Sequence, residues 1–230
     1  MIAPRELCLS VAPDAATPLA TILLVPPLFD EGNRMRRTLA LTMRALGRRG
    51  LAAMLPDLPG QNDSLTPTSA VTLALWRGAL ASVASAVTGP LLIASWRGGT
   101  LIDDAAQNAI GWWRMAPVSG GSILKTLLRA RIAGEREAGR SVTAEGLLAT
   151  ATSDATLELA GHQLSRVMID ALTAATPATV TRLRQRDLGS GAEQLPGSAL
   201  WLRAEPGEDA AMAEAMAADI HDWAAQCVAG

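Results

Sequence analysis

The sequence predicts an α/β protein built on one mostly parallel sheet with helices on both faces. Short apolar runs alternate along the chain with longer segments whose apolar residues recur at helical spacing. Most of the apolar runs end in proline, glycine or small polar residues, as strands buried on both faces of a sheet do. Regular alternation implies right-handed crossovers, which make the strands parallel. With 49% hydrophobic residues among 230, the chain can enclose a sizeable core.

The strand predictions rest on short runs of apolar residues bounded by turn residues. Predicted strands are residues 6–11, 21–25, 51–55, 91–94, 110–115, 180–186 and 199–202. In the first strand, apolar and polar residues alternate weakly, so we expect it at an edge of the sheet. The sixth places Arg182, Arg184 and Arg186 on one face, which we expect to be the outer face of an edge strand, where charges discourage aggregation.

The helix predictions rest on apolar periodicity and on residues that start and stop helices. Asn33 is expected to cap the first helix and Gly50 to end it; Ser69 begins the second. Further predicted helices are residues 98–108, 122–137, 164–172 and 208–227. We expect a single domain over residues 1–230, with a small cap-like insertion at about residues 117–173.

Composition excludes several classes of function. The net charge of -2 argues against a nucleic-acid footprint. Two Cys and two His cannot supply a disulfide framework, a four-thiolate zinc site or a His-rich metal site, and no cofactor is expected. The most apolar stretch, residues 18–29, contains three prolines and is shorter than the roughly 20 residues that span a membrane. We therefore expect a cytoplasmic protein with reduced thiols and no membrane span.

The turn after the fourth strand has the pattern of a nucleophile elbow. In such an elbow the apex residue is strained, so the residues two before and two after it must be small. With Arg97 at the apex these are Ser95 and Gly99, which fit; with Ser95 at the apex they are Ile93 and Arg97, which do not. The register therefore puts an arginine where a hydrolase carries its nucleophile, and a guanidinium stays protonated and cannot attack a carbonyl.

Four segments resemble the hydrolases associated with the exosortase A system, of the second of their two types, which belong to the α/β-hydrolase superfamily. They are residues 25–37 (VPPLFDEGNRMRR), 55–64 (LPDLPGQNDS), the elbow 95–99 (SWRGG), and 116–121 (APVSGG) with 127–134 (LLRARIAG), echoed at 159–165 (LAGHQLS). The resemblance implies an α/β-hydrolase-like fold and a hydrolase acting on an ester or acyl group. It also implies a role in bacterial exopolysaccharide production and protein sorting. Arg also occupies the elbow apex in the family pattern, whereas Ser95 and Asn62 each replace a glycine.

The resemblance also sets where catalytic partners would lie. In this fold the acid follows a late strand, which makes Asp187 a candidate, and the base histidine follows the last strand, where none is found. His162 stands where the family tends to have an aromatic residue and is expected to pack. His221 is expected on the solvent side of the last helix, opposite its apolar stripe. A Ser-His-Asp triad is therefore not predicted.

Two uses of Arg97 remain open at this stage. Its positive charge near a helix start requires an anion, which is either a protein carboxylate (Glu31, Asp30 or Asp187) or a small anionic or acyl ligand. In the second case the ligand site would comprise Arg97, Trp96, Gly98, Leu28, Phe29 and Glu31, with the amides of Leu28 and Phe29 where the fold normally builds half its oxyanion hole.

Two functions follow from these alternatives. The first is a catalytically degenerate hydrolase fold that binds an anionic or acyl ligand, or a protein of the exosortase and exopolysaccharide system. The second is an active esterase or thioesterase with a non-standard nucleophile such as Ser95 or Ser119.

Overall fold

Seven strands form one sheet in the computed structural model, which describes residues 6–15 and 17–230. The order is β1-β3-β2-β4-β5-β8-β9, and every neighbouring pair is parallel except β1 with β3. The strands are β1 Cys8–Val11, β2 Thr21–Val25, β3 Ala52–Pro56, β4 Leu91–Trp96, β5 Trp112–Met115, β8 Leu183–Leu188 and β9 Gln194–Leu195. The predicted fold class is confirmed.

In the described part of the chain, six α-helices connect and cover these strands. They are α1 Asp30–Arg48, α2 Leu73–Ser85, α3 Gly120–Glu137, α4 Ala144–Thr150, α5 Arg166–Ala174 and α6 Ala210–Ala229. The first begins three residues before the predicted cap Asn33, which lies inside it. Phe29, at φ 59, turns the chain, and Asp30 and Glu31 then place negative charge against the positive end of the helix dipole.

Two other helix predictions are wrong in detail. Ser69 lies in the short 3-10 helix Thr68–Ala70, and α2 starts after Thr72, whose side chain accepts a hydrogen bond from the amide of Leu75 at 3.0 Å. After β4 the chain forms two 3-10 turns instead of one helix. Gly98 and Gly99 are poor helix formers, and tertiary contacts of Asp103 fix the second turn.

The prediction of a last strand at residues 199–202 is also wrong. Leu200–Leu202 form a 3-10 helix, and the last strand of the sheet is the two-residue β9. Leu200 and Trp201 are buried in the core cluster that includes α1, and Arg34 donates to the carbonyl oxygen of Trp201 at 3.1 Å. A short apolar run does not by itself distinguish a strand from a buried turn, and here the packing decides.

The sheet separates two apolar cores. Side chains alternate along β4, so that Leu91 and Ile93 join α2, α3 and α5 on one face. Leu92, Ala94 and Trp96 join α1 and α6 on the other face. The stripe predicted for α6 is buried as expected, since it comprises Met212, Met216, Ile220, Trp223 and Cys227.

The segment between β5 and β8 carries helices α3, α4 and α5 and a small two-stranded hairpin. The hairpin consists of β6 Leu157–Leu159 and β7 His162–Leu164, which pair antiparallel and were not predicted from the sequence. Its buried residues belong to the same core as α2 and α3. The hairpin therefore packs onto the face of the sheet that carries α2 and α3.

Two further searches concern the described residues only. Within residues 6–15 and 17–230, no helix is long and apolar enough to cross a membrane. Over the same residues, no group of three or more His, Cys, Asp or Glu side chains is arranged to hold a metal ion.

A pair of glycine substitutions tests the packing at the end of β4. A Cβ at Gly99 would lie 2.5 Å from the carbonyl oxygen of Pro26 and 2.6 Å from that of Val25, so backbone would have to shift. We expect Gly99→Ala to lower the free energy of unfolding by about 1–3 kcal/mol, the usual range for overpacking. The control, Gly78→Ala in α2, meets nothing within 4 Å and should raise it by about 0.5–1 kcal/mol. Urea unfolding measures both, and equal effects at the two sites would contradict this packing.

Candidate functional site

Arg97 occupies the apex of a sharp turn between β4 and the following 3-10 helix. Its φ of 53 lies in the left-handed region that side-chain-bearing residues seldom adopt. The small residues on either side explain why the turn is possible: Ser95 is fully buried, and Gly99 lies against the carbonyl oxygens of Val25 and Pro26. This is the geometry of a nucleophile elbow with a guanidinium in the nucleophile's place.

The Arg97 guanidinium is bound within the protein. Its Nε donates to Glu31 Oε2 at 3.1 Å and its Nη2 to Glu31 Oε1 at 3.2 Å, so the pair is bidentate. Nη1 donates to the carbonyl oxygen of Ala116 at 3.4 Å, and the guanidinium carbon lies 4.9 Å from the ring centroid of Trp201. Both charged side chains are less than one fifth exposed. Of the carboxylates considered from the sequence, Glu31 is the partner.

Backbone strain is concentrated at the same edge of the sheet. Phe29, Asn62, Arg97 and Ala116 follow β2, β3, β4 and β5, and their φ values are 59, 51, 53 and 46. Asn is among the residues that tolerate this conformation best, so its place in a glycine position costs little. Strained residues persist where surrounding contacts over-determine them, and such clusters are typical of functional sites.

A buried ion pair lies beneath the elbow. Arg114 on β5 donates to both carboxylate oxygens of Asp103, at 2.8 and 2.7 Å, and the Ser95 hydroxyl donates to Asp103 Oδ2 at 2.7 Å. Burial raises the pKa of the Asp103 carboxyl, while the guanidinium and the hydroxyl act to lower it. Ser95, a candidate nucleophile from the sequence, is therefore fully buried and hydrogen-bonded to a carboxylate.

A small cavity of about 190 Å³ lies beside the Arg97–Glu31 pair. Most of its wall is apolar, and its charged lining residues all belong to the start of α1. The lining residues are Leu28, Phe29, Asp30, Glu31, Arg34, Ile123, Thr126, Leu127, Ala130, Ala160, Trp201 and Leu202. Leu28 and Ile123 also pack against Gly98, because a Cβ there would lie within 3.1 and 2.6 Å of their side chains. Residues of α1 and α3 thus line the space beside the elbow.

His162 is paired with Asp30 at the start of α1. Its Nε2 lies 3.0 Å from Asp30 Oδ1, and its ring meets Phe29 edge-on at 5.1 Å between centroids. The hydrogen bond from His162 is the main cause that holds the pKa of the Asp30 carboxyl below its usual value. The β6–β7 hairpin makes this contact by bringing together residues 132 positions apart, which no local sequence signal indicates.

Several residues considered from the sequence lie away from the Arg97–Glu31 pair. Trp96 is fully buried on the α6 face, where its indole N–H donates to the sulfur of Met216 at 3.2 Å. The tryptophan beside the guanidinium is instead Trp201, because side chains alternate along β4 and Trp96 points to the opposite face. Asp187 is exposed on β8.

The remaining candidates take part in local contacts. His221 lies on the outer side of α6, with its Nδ1 3.1 Å from a carboxylate oxygen of Asp222. Ser119 caps α3, and its hydroxyl lies 3.0 Å from that of Ser122. Within residues 6–15 and 17–230, the amides of Leu28 and Phe29 donate no hydrogen bond.

Two esterases of known structure have the same architecture. A thermophilic esterase from Thermogutta terrifontis superposes with a TM-score of 0.58 at 13% identity, over 96% of this chain and 93% of that one. Est1E from Butyrivibrio proteoclasticus superposes with a TM-score of 0.56 at 10% identity, over 97% and 94% of the two chains. This chain has the α/β-hydrolase fold.

These similarities extend to the fold alone. The ferulic-acid complex of Est1E gives a TM-score of 0.54 at 13% identity, over 79% of this chain and 72% of that one. No family model matches the sequence. No curated protein matches it either.

The His162–Asp30 contact predicts a pH-dependent contribution to stability. A carboxyl whose pKa is lower in the folded state stabilises the fold above its ordinary pKa of 3.8, and this contribution disappears as the pH falls through the folded value. His162→Phe keeps the aromatic contact and removes the hydrogen bond. We expect the melting temperature of the variant to lie below that of the wild type at about pH 5, with the difference shrinking by about pH 2. A difference that grows on acidification would contradict the assignment.

Proposed function

We propose that this chain is a catalytically degenerate α/β-hydrolase-fold protein that binds a small acyl ligand beside the elbow. The observation that carries the proposal is the bidentate pair between Arg97 and Glu31 at the nucleophile position. A protonated guanidinium offers no lone pair for attack on a carbonyl carbon. With Arg97 at the apex, the turn keeps the shape of a nucleophile elbow but has an ion pair in place of a nucleophile.

The contacts of the serine and histidine side chains support the absence of turnover. Nucleophilic catalysis requires a base within hydrogen-bond reach of the nucleophile. Ser95 donates to Asp103, and Ser119 lies against Ser122. His162 and His221 lie against Asp30 and Asp222. Neither serine has a histidine as its hydrogen-bond partner among the residues described here.

The cavity favours the acyl form of the ligand. Because Glu31 already neutralises Arg97, a free anion would have to displace that carboxylate. The cavity wall is apolar along Leu28, Ile123 and Leu127. Arg34, which also lines the cavity, has no carboxylate oxygen within 4.0 Å in the described part of the chain. We therefore assign the apolar wall to the hydrocarbon part of the ligand and Arg34 to its anionic or carbonyl end.

The biological setting rests on the sequence resemblance described above. It supports a protein of the bacterial exosortase and exopolysaccharide system, acting in the cytoplasm with a ligand or partner from that system. The motif at residues 25–37 includes Leu28, Glu31 and Arg34, which line the cavity. The most specific part of the resemblance therefore coincides with the proposed binding site.

A serine-directed probe separates binding from catalysis. We expect a fluorophosphonate to leave the folded protein unlabelled, and p-nitrophenyl butyrate to be hydrolysed no faster than by the Arg97→Ala variant. Intact-mass spectrometry and absorbance measure the two outcomes. Stoichiometric labelling of one serine, abolished by Ser95→Ala or by Ser119→Ala, would contradict the proposal and establish the esterase alternative.

Filling the cavity tests the acyl ligand. Ala130 lies on α3 at the exposed rim of the cavity, so Ala130→Trp should block it with little effect on folding. Ala133→Trp, one turn further along the exposed side of the same helix, is the matched control. By calorimetry with sodium hexanoate we expect binding to the wild type and to Ala133→Trp, and at least about tenfold weaker binding to Ala130→Trp, a loss of about 1.4 kcal/mol. Binding of phosphate but not hexanoate, or equal binding by both variants, would contradict the assignment.

A further inference from the structure

The β8 strand has a short stretch of open edge. On one side, Leu183 to Arg186 pair with Trp112 to Met115, which is the whole of β5. On the other side, β9 pairs only with Asp187 and Leu188. Residues 183–186 therefore have no strand neighbour on that side among the described residues.

The backbone groups on this edge follow from the alternation of a strand. The amides of Trp112 and Ala116 donate to the carbonyl oxygens of Arg182 and Arg186. The even-numbered residues of β8 therefore direct their backbone N–H and C=O groups toward β5. Leu183 and Gln185 accordingly direct their N–H and C=O groups away from β5. Unpaired groups of this kind are a template on which another extended chain can add a strand.

An open groove of about 660 Å³ runs along this edge. It is lined by residues 182–186, which are the start of β8 and the residue before it, and by the last turns of α6, including Trp223 and Cys227. An added strand lies about 4.8 Å from its neighbour. A peptide beside β8 would therefore lie in the groove, with alternate side chains directed toward α6.

The side chains at the groove carry an excess of positive charge. Arg184 and Arg186 share the single carboxylate of Asp219, at 3.3 and 3.0 Å. Arg182 donates to the carbonyl oxygen of Cys227 at 2.7 Å and has no carboxylate within 4.0 Å in the described part of the chain. Glu193, which also lines the groove, offsets part of this charge. Among the side chains at the groove, three guanidinium groups thus meet the two carboxylates of Asp219 and Glu193.

We propose that the open edge of β8 binds an extended acidic peptide segment of a partner protein, which adds a strand beside Leu183 and Gln185 and directs its carboxylates toward Arg182, Arg184 and Arg186. Backbone hydrogen bonds supply the docking, and the arginines select the partner. The same charges disfavour a second copy of this chain, because an edge-to-edge pair would bring two sets of arginines together.

The test uses two fluorescein-labelled seven-residue peptides, one alternating glutamate with valine and the other alternating lysine with valine. Fluorescence anisotropy should show binding of the acidic peptide only, weakening as salt is added. Gln185→Pro removes an outward N–H without affecting the bonds to β5, so binding should fall at least tenfold. Gln185→Ala keeps that N–H and should bind as the wild type does. Circular dichroism checks that both variants are folded.

Two further measurements keep the proposal open to refutation even if Gln185→Pro does not fold. Arg182→Glu should abolish binding of the acidic peptide. On the wild type, hydrogen exchange should slow at the amides of Leu183 and Gln185 when the acidic peptide is added, and stay unchanged at Arg184 and Arg186. Equal binding of both peptides, no added protection at those amides, or a dimer in sedimentation that Gln185→Pro dissociates would overturn the proposal.

Discussion

The Arg97 side chain links segments that follow several strands at the carboxyl edge of the sheet. The backbone of Arg97 is left-handed at the apex of the turn after β4, and its guanidinium pairs with Glu31 in the first turn of α1. It also reaches the Ala116 carbonyl oxygen after β5 and the Trp201 ring after β9. Because a positive φ is costly for a residue with a side chain, these contacts must over-determine the turn. The shape of the cavity beside the elbow depends on the same contacts.

The turn after β4 combines the shape of a nucleophile elbow with an ion pair at its apex. Ser95 and Gly99 flank the apex, Gly99 lies against the carbonyl oxygens of Val25 and Pro26, and the side chain of Arg97 is paired with Glu31. Beneath it, Asp103 and Arg114 form a second, fully enclosed pair to which Ser95 is bonded. Breaking a buried pair by removing one partner is strongly destabilising, so this layer serves rigidity.

The sequence predicted features that depend on neighbouring residues, and it predicted less well the contacts between segments that are distant along the chain. The elbow register could be derived because small residues must flank a strained apex, and the α6 stripe because apolar spacing determines burial. The strand prediction for residues 199–202 was wrong because a short apolar run fits both a strand and a packed turn. The choice of Glu31 over Asp30 or Asp187, and the contact of His162 with Asp30, depend on how α1 and the hairpin pack. Likewise, Trp201 took the place expected for Trp96 because strand alternation directs Trp96 to the other face.

The most direct test of the central claim is a double-mutant cycle of Arg97→Ala and Glu31→Ala by urea unfolding. For this partly buried bidentate pair we expect a coupling free energy of about 1–3 kcal/mol. The exposed pair of Arg166 and Asp170 is the reference and should give below about 0.5 kcal/mol. A coupling between Arg97 and Glu31 no larger than this reference would contradict the account, because the elbow would then be held without the ion pair at its apex.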